Sequence, residues 1–343
     1  MTMPTEAALD PTADPAGAEG GPASGSKNAE LVGRSPGQLA WIRIKRDKVA
    51  VICAVIVALF FVVAYSAPLI AKLYGKNPYT PYGLVDPNLT DASGMPLGSF
   101  GGISSQYWLG IEPGGLGRDV FTLLIYGMRT TLTISVLATI LSTVLGVGLG
   151  LAQGYLGGKA DYWLGRISDL LMAFPQQLFF IAFTPVVIAL FYPPGNAVPT
   201  WFRGTALIVV QVALGWMGLG RLLRGMTLSL REREFIEAAK IAGASPWRII
   251  RKELMPNLGT TILVQTTLSL SGFVTTEAGL SFLGVGMVDP TPDWGRLFQD
   301  AAPYYQTDLA FLLVPGLSLM IFTIAFNLLG DSVRDALDPK TAR

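Results

Sequence analysis

Long runs without a single charged residue constrain this sequence more than any other feature. One of them extends from Val49 to Ala71 and directly follows a basic segment at 43–48. At about 1.5 Å per residue, such a helical run can cross the roughly 30 Å of hydrocarbon in a bilayer. The chain as a whole is 51% hydrophobic and only 14% charged, so the question is how often it crosses a membrane.

The uncharged runs predict an all-α integral membrane protein with six transmembrane helices. The predicted spans are Val49–Ala71, Thr130–Gly158, Leu170–Phe191, Gly204–Gly220, the interval between Glu253 and Glu277, and the interval between Asp308 and Asp331. We expect a short loop from Lys159 to Arg166, and we expect Pro175 and Pro185 to bend the third span.

The second span carries a regular spacing of small residues. Gly146, Gly150 and Gly154 recur every four residues. This small-xxx-small pattern lets a second helix approach closely, so we interpret it as a packing surface.

Composition divides the chain into four parts. Residues 1–33 are rich in Pro, Ala, Gly, Ser and Thr, which predicts a disordered cytoplasmic tail. Residues 34–71 form the basic flank and first transmembrane helix. The Gly-, Pro- and Asn-rich interval 72–118 predicts an extracytoplasmic loop, and 119–343 the core with the other five spans.

The distribution of Lys and Arg predicts the orientation. All but six of the 25 Lys and Arg residues fall on the side of the two termini. The six on the other side are Lys72, Lys76, Arg118, Arg129, Arg203 and Arg296. By the positive-inside rule, both termini and the charged segment 231–257 are cytoplasmic.

The segment 231–257 predicts a helix, a turn and a second helix. The apolar positions of the first helix are Phe235, Ile236, Ala239, Ile241 and Ala242. Gly243 favours the left-handed conformation that ends a helix, and Ser245 with Pro246 is typical of the start of the next one. We expect Pro256 and Asn257 to close the second helix just before the fifth span.

Several kinds of chemistry are disfavoured by the residues present. The chain has no His, which is the commonest general base and transition-metal ligand. Its single Cys, Cys53, lies within an apolar run, and the net charge of +1 gives no argument for nucleic-acid binding. Neither Gly75-Lys76 nor Gly158-Lys159 completes a phosphate-binding Walker A sequence. We therefore expect no cofactor and no ATP hydrolysis in this chain alone.

The fifth span has one polar face. Its members are Thr261, Gln265, Ser269, Gly272 and Thr276, spaced at steps of three and four residues. Hydroxyl and amide groups in this arrangement could line a pathway for a polar solute, or they could mediate helix packing in lipid. The sequence leaves both interpretations open.

Several motifs together resemble one family. The sequence EAAKIAGASPWRII from Glu237, followed by LMPN, resembles the EAA loop of ABC importer permeases. The remainder looks like the C-type permease subunit of dipeptide, oligopeptide and nickel importers. Further matching motifs are LGIEPGGLGRDVFTLLIYGMRTTL from Leu109, EAGLSFLGVGMVDPTPDWG from Glu277 and VPGLSLMIFTIAFNLLGDSVRDALDP from Val314. The resemblance covers about residues 35–340.

The resemblance implies a type I ABC importer permease fold in the bacterial inner membrane. In such importers the EAA hairpin, or coupling helix, sits in a groove of a cytoplasmic ATPase subunit. The implied partners are a homologous B-type permease, two ATPases that bind ATP and Mg, and an extracytoplasmic substrate-binding protein. The residues expected to contact the ATPase are Phe235, Ile236, Glu237, Ala238, Ala239, Ile241 and Gly243.

These expectations combine into a permease subunit that imports di- or oligopeptides. An importer of nickel or another small solute is the alternative within the family. A secondary transporter or channel, and a passive scaffold subunit, remain as alternatives of other classes.

Overall fold

The computed structural model describes residues 36–98 and 100–337, and within them all regular secondary structure is helical. Two isolated β-bridges, Thr90 with Pro96 and Ile111 with Asp119, are the only pairings of extended backbone in that part of the chain. The predicted all-α class is therefore confirmed there. The tail predicted at 1–33 lies outside the described residues.

The first predicted span is made of two helices. After α1 (Pro36–Arg46), α2 (Lys48–Tyr65) is capped by Asp47, whose side chain accepts the amide hydrogen of Val49 at 2.9 Å. A break at Ser66 separates α2 from α3 (Ala67–Tyr74), which has a proline in its first turn. The helical region therefore continues past the predicted end at Ala71.

The interval that follows contains one short helix, α4 (Tyr82–Val85), and is otherwise made of turns. A buried ion pair holds it in place, because Arg118 donates to both carboxylate oxygens of Glu112, at 2.6 and 2.8 Å. Arg118 also donates to Asp289 at 2.6 Å. Burial raises the pKa of Glu112, although the Arg118 guanidinium opposes the shift.

The helix α5 (Val120–Leu156) starts ten residues earlier than the predicted span. Asp119 explains the difference, because its side chain accepts the amide hydrogen of Thr122 at 2.7 Å and so caps the helix. The segment after the cap packs into the core, where Val120, Leu123 and Ile125 are buried. The residues before Thr130 are thus the first part of one long helix.

The expected loop from Lys159 to Arg166 is wrong, because α6 (Gly158–Met172) occupies it. The chain then turns at Ala173–Pro175 into α7 (Gln176–Phe191), and the two helices are bent by 96° relative to each other. Pro175 thus separates two helices, whereas Pro185 lies inside α7.

The helix α8 (Thr200–Leu230) is longer at both ends than the predicted Gly204–Gly220. It holds α6 through two ion pairs, Arg224 with Asp161 at 2.5 Å and Arg221 with Asp169 at 2.6 Å. It also packs on the glycine face of α5: a Cβ atom on Gly146, Gly150 or Gly154 would lie 2.6–2.9 Å from atoms of α8. The predicted role of these glycines in packing is confirmed.

The last third of the chain is also helical. Its elements are α9 (Glu234–Ile241), α10 (Pro246–Ile249), a π-helical turn (Ile250–Leu254), α11 (Met255–Phe282), α12 (Trp294–Ala301), a 3₁₀ turn (Ala302–Tyr304) and α13 (Leu309–Leu337). Trp294 of α12 and Phe322 of α13 are fully buried in the largest apolar cluster, which also includes Leu132 of α5 and Val274 of α11.

Four helices in the described part of the chain are long and apolar enough to cross a membrane: α2, α5, α8 and α13. The bent pair α6 and α7 qualifies as a fifth crossing if it is counted together. The 28-residue α11 is long enough but carries many hydroxyl side chains, and it does not reach the same apolarity. Four helices, or five crossings when the bent pair is counted, are therefore apolar enough to span a membrane, and the predicted fifth span is the polar α11.

Candidate coupling hairpin and solute path

The hairpin at 231–257 has the predicted local geometry in its first part. The helix α9 ends before Gly243, whose φ of 77° is in the left-handed region that favours glycine. Ser245 then caps α10, because its hydroxyl oxygen accepts the amide hydrogen of Arg248 at 3.4 Å. Pro246 occupies the first helical turn, where a missing N–H costs no hydrogen bond.

The second half of the hairpin differs from the prediction. Pro256 and Asn257 do not end a helix, because α10, the π-helical turn and α11 follow each other without a loop. The Asn257 side-chain amide donates to the Glu253 carbonyl at 2.6 Å, one turn earlier. Pro256 falls in the first turn of α11, and the wider π-helical turn precedes it. The hairpin is thus directly continuous with α11.

Ile236 anchors the hairpin to the rest of the chain. Its side chain is 0% exposed, in a cluster with Leu151 of α5, Leu223 of α8 and Leu258 of α11. Ile236 is among the residues predicted to contact an ATPase. In the structure it is inaccessible to a partner, because its position on α9 points into the chain's own core.

The other apolar residues of the hairpin are accessible. Ile241 is 89% exposed, Phe235 is 39% exposed, and Trp247 of α10 is 66% exposed. Glu237 and Ala238 are also exposed, and Ala239 is half-buried. We define the exposed side chains of Phe235, Glu237, Ala238, Ile241 and Trp247 as the hairpin surface. It combines large apolar groups with a carboxylate, which suits contact with another protein.

The polar face of α11 is only partly covered by its own chain. Thr261, Gln265, Ser269 and Thr276 are half-buried, and Gly272 is exposed, with no atom of another element within 4 Å of a Cβ built on it. Elsewhere on the helix, Val264, Leu270, Phe273 and Val274 are buried. Within the described chain this face is therefore only partly covered, and it is open at Gly272.

One buried acidic pair has no signal in the local sequence pattern. Glu277 in α11 and Asp293, the N-cap of α12, are both 0% exposed. The Ser281 hydroxyl donates to Asp293 at 2.8 Å and lies 3.5 Å from Glu277. Burial raises the pKa of Asp293 to about 6, although hydrogen bonds from Arg296 and Ser281 oppose the shift. The predicted end of the fifth span at Glu277 is therefore too early, because α11 continues to Phe282.

A second feature without a sequence signal is Arg203, near the start of α8. Its Nε atom is buried and has no hydrogen-bond partner within the described residues. Its Nη1 atom donates over a long 3.5 Å to the carbonyl of Gly286, beyond the end of α11. The spacing of charges along the chain places Arg203 at this end of the molecule but cannot indicate whether it is paired.

Two models of known protein families match this chain. The family model described as the binding-protein-dependent transport system inner membrane component matches residues 145–343. The chain belongs to this family. A second model, the N-terminal TM domain of oligopeptide transport permease C, matches residues 35–95 of this permease. The permease is accordingly a multi-pass protein of the inner membrane.

Curated relatives resemble nearly the whole permease. It is 33% identical to the dipeptide transport system permease protein DppC of Alkalihalophilus pseudofirmus, over 89% of its own length and 90% of the relative. It is 34% identical to DppC of Bacillus subtilis, over 89% and 86%. It is also 34% identical to the glutathione transport system permease protein GsiD of Escherichia coli O157:H7, over 90% and 91%.

A solved structure supports the fold. The permease aligns with a chain of the MetNI methionine ABC transporter in an inward-facing conformation, with a TM-score of 0.50 and 18% sequence identity. The alignment covers 63% of the permease and 96% of that chain. At this identity the likeness concerns the fold alone.

Proposed function

We propose that this permease forms, with a homologous B-type permease, the membrane path of an ATP-driven importer for di- or oligopeptides. The proposal that the solute is a peptide rests on the 33–34% identity, over about nine-tenths of the chain, to permeases of dipeptide and glutathione transport systems. Both names denote small peptides. An extracytoplasmic substrate-binding protein delivers the peptide to the path.

The six-span arrangement combines the four apolar helices, the crossing formed by α7 after the bend, and α11. The distribution of Lys and Arg supports an orientation with the hairpin and both termini in the cytoplasm and the interval 72–118 outside. In this arrangement α11 crosses the membrane although it is polar, because its polar face lines a path and avoids lipid. The scheme corresponds to a type I importer permease.

The polar face of α11 is the part of the path that this subunit contributes. Thr261, Gln265, Ser269 and Thr276 offer hydroxyl and amide groups without fixed charge, and Gly272 leaves open space. Neutral hydrogen-bonding groups suit peptides of varied side-chain chemistry, because a fixed charge would hold one sign too tightly for release. The second permease covers this face from the other side.

Energy for transport enters through the hairpin surface. Moving a two-state equilibrium from 1:99 to 99:1 requires about 5.5 kcal/mol of differential stabilisation. One exposed ion pair contributes about 0–1 kcal/mol, so Glu237 alone is insufficient and sets the register of docking. Burial of Ile241, Phe235 and Trp247 against a cytoplasmic ATPase supplies the larger share. The ATPase subunits, two per importer, bind ATP and Mg.

Coupling to the path follows from chain continuity. The hairpin surface is joined to α11 through Gly243, α10 and the π-helical turn, without an intervening loop after Ser245. Ile236 ties α9 to α5, α8 and α11 at the same end of the molecule. A displacement of the hairpin by an ATPase is therefore transmitted to the helix that lines the path.

The test is peptide uptake by the complete importer in proteoliposomes. The permease is reconstituted with its second permease, its ATPases and its binding protein, and ATP-dependent accumulation of radiolabelled alanyl-alanine is measured. We expect accumulation that requires both ATP and the binding protein. Accumulation of nickel in place of peptide would contradict the proposed solute, and uptake independent of ATP would contradict the importer class.

A further inference from the structure

A cavity lies beyond the C-terminal end of α11, which is the end of the helix farther from the hairpin. Its volume is about 390 Å³. It is bounded by the end of α7, the start of α8 and the backbone at Gly284, two residues after α11 ends. Among its lining residues are Arg203, Tyr192, Asn196 and the apolar Ile188. By the charge distribution, this end of the molecule faces the side from which solute arrives.

Arg203 is the cation of this cavity, and its charge is not compensated within the described chain. Its Nε atom is buried without a partner, its one hydrogen bond is 3.5 Å long, and it forms no ion pair with a described residue. Other buried or half-buried arginines differ. Arg118 and Arg224 each hold a carboxylate through two nitrogen atoms, with distances of 2.5–2.8 Å.

A partly buried guanidinium without a carboxylate partner is costly unless water or a ligand satisfies it. The planar fork of an arginine matches a carboxylate with two parallel hydrogen bonds. The cavity is open to a small molecule, and Tyr192 and Asn196 add neutral hydrogen-bonding groups at its wall. These properties fit an anion that arrives and leaves.

Resting on the peptide-import function above, we propose that Arg203 binds the terminal carboxylate of a peptide at the entrance of the path. The polar face of α11 ends at Thr276, and Gly284 of the cavity wall follows eight residues later. A peptide held by its carboxylate at Arg203 is thus delivered to the neutral hydroxyl groups of that face. The cavity selects for a free carboxylate, and the path accepts varied side chains.

The experiment compares alanyl-alanine with alanyl-alanine amide, which lacks the charged carboxylate. Uptake of each is measured with the complete importer in proteoliposomes, at saturating concentrations of binding protein loaded with that peptide. For Arg203→Gln we expect uptake of the acid to fall about tenfold, the size of one charge-assisted hydrogen-bonding contact, while uptake of the amide stays unchanged. For Arg203→Lys we expect a several-fold fall, because an ammonium keeps the charge without the fork.

Arg129→Gln is the matched control, because Arg129 is a predicted extracytoplasmic arginine that is exposed and lies in α5. Uptake of both peptides should be unchanged in it. An equal loss of both peptides in Arg203→Gln would overturn the proposal in favour of a structural role or a contact with an acidic group of another subunit. Unchanged uptake of the acid would also overturn it.

The same measurements distinguish a failure of the carboxylate site at Arg203 from a failure of the peptide-import function. If wild-type importer takes up peptide and Arg203→Gln behaves like wild type, only the carboxylate site is wrong. If wild-type importer takes up neither peptide, the peptide function and the site are both wrong. If Arg203→Gln does not assemble, Arg203→Lys decides, and acid uptake equal to wild type in that variant overturns the site.

Discussion

Gly150 of α5 lies directly against Gly220 of α8, so that a Cβ atom built on Gly150 would be 2.6 Å from the Gly220 carbonyl oxygen. Ordinary carbon contacts are about 3.5–4.0 Å, so a side chain at this position cannot be accommodated without moving the helices apart. The long helices α5 and α8 therefore touch backbone to backbone.

Gly150→Ala is expected to destabilise the permease by about 1–3 kcal/mol, the usual cost of overpacking. Gly148 is the control in the same helix, since nothing lies within 4 Å of a Cβ built there. Thermal unfolding of the purified complex should give a lower Tm for Gly150→Ala and an unchanged Tm for Gly148→Ala. Equal Tm values in both variants would contradict the described packing.

The two isoleucines of α9 should separate stability from coupling. Ile236 is buried, so Ile236→Ala is expected to cost about 2–5 kcal/mol through lost contacts and a cavity. Ile241 is 89% exposed, so Ile241→Ala should leave the Tm of the isolated permease unchanged. A comparable loss of Tm in both variants would show that the hairpin packs differently.

The sequence predicts the turn and the helix cap of the hairpin, but it does not predict that the second helix continues directly into α11. Gly243, Ser245 and Pro246 act through their own backbone and neighbours, and the structure has the turn and cap that they indicate. Pro256 is a misleading stop signal, because it falls in a first helical turn after a π-helical turn. Whether a proline starts or ends a helix depends on the preceding turn, which the local pattern does not specify.

The helix boundaries that are wrong depend on distant contacts. The segment 159–166 contains Asp161, which pairs with Arg224, 63 residues later. Similarly, the sequence does not single out Arg203 or the pair of Glu277 with Asp293. These residues are notable because they are buried or partly buried in the fold, and local periodicity does not predict that burial. The glycines of α5 are predictable because their spacing alone indicates a close helix contact.

The path should be sensitive to bulk on one side of α11. Gly272→Leu places a side chain in open space on the polar face, so peptide uptake should fall at least tenfold while the Tm is unchanged. Gly259→Leu is the matched control, because Gly259 is also open and lies about 200° around the helix from Thr261. Equal uptake in the two variants would favour the packing interpretation of the polar face.

The buried acid Asp293 should make stability depend on pH. Its pKa is raised from 3.8 to about 6, so the folded state favours its protonated form. The stability it contributes is complete below about pH 3.8 and is lost as the pH rises through 6, with a size on the order of 3 kcal/mol. Asp293→Asn keeps an N-cap acceptor and removes the charge.

In Asp293→Asn, the fall of Tm between pH 4 and pH 7 should therefore be smaller than in wild type. Asp91→Asn is the control, because hydrogen bonds from Ser93 hold the pKa of Asp91 below its ordinary value and it does not titrate in that window. A wild-type slope in Asp293→Asn would mean that other carboxyls with raised pKa values, such as Glu112, cause the dependence.

The central claim is that ATP hydrolysis in a partner drives solute movement through the hairpin surface. The most direct measurement is peptide-stimulated ATP hydrolysis by the assembled importer, with either Glu237→Lys or Gly243→Val in the permease. The second variant strains the backbone, because the φ of Gly243 is 77°. Both variants should insert into the membrane, and both should lose the stimulation by peptide-loaded binding protein. Wild-type stimulation in both variants would contradict the account.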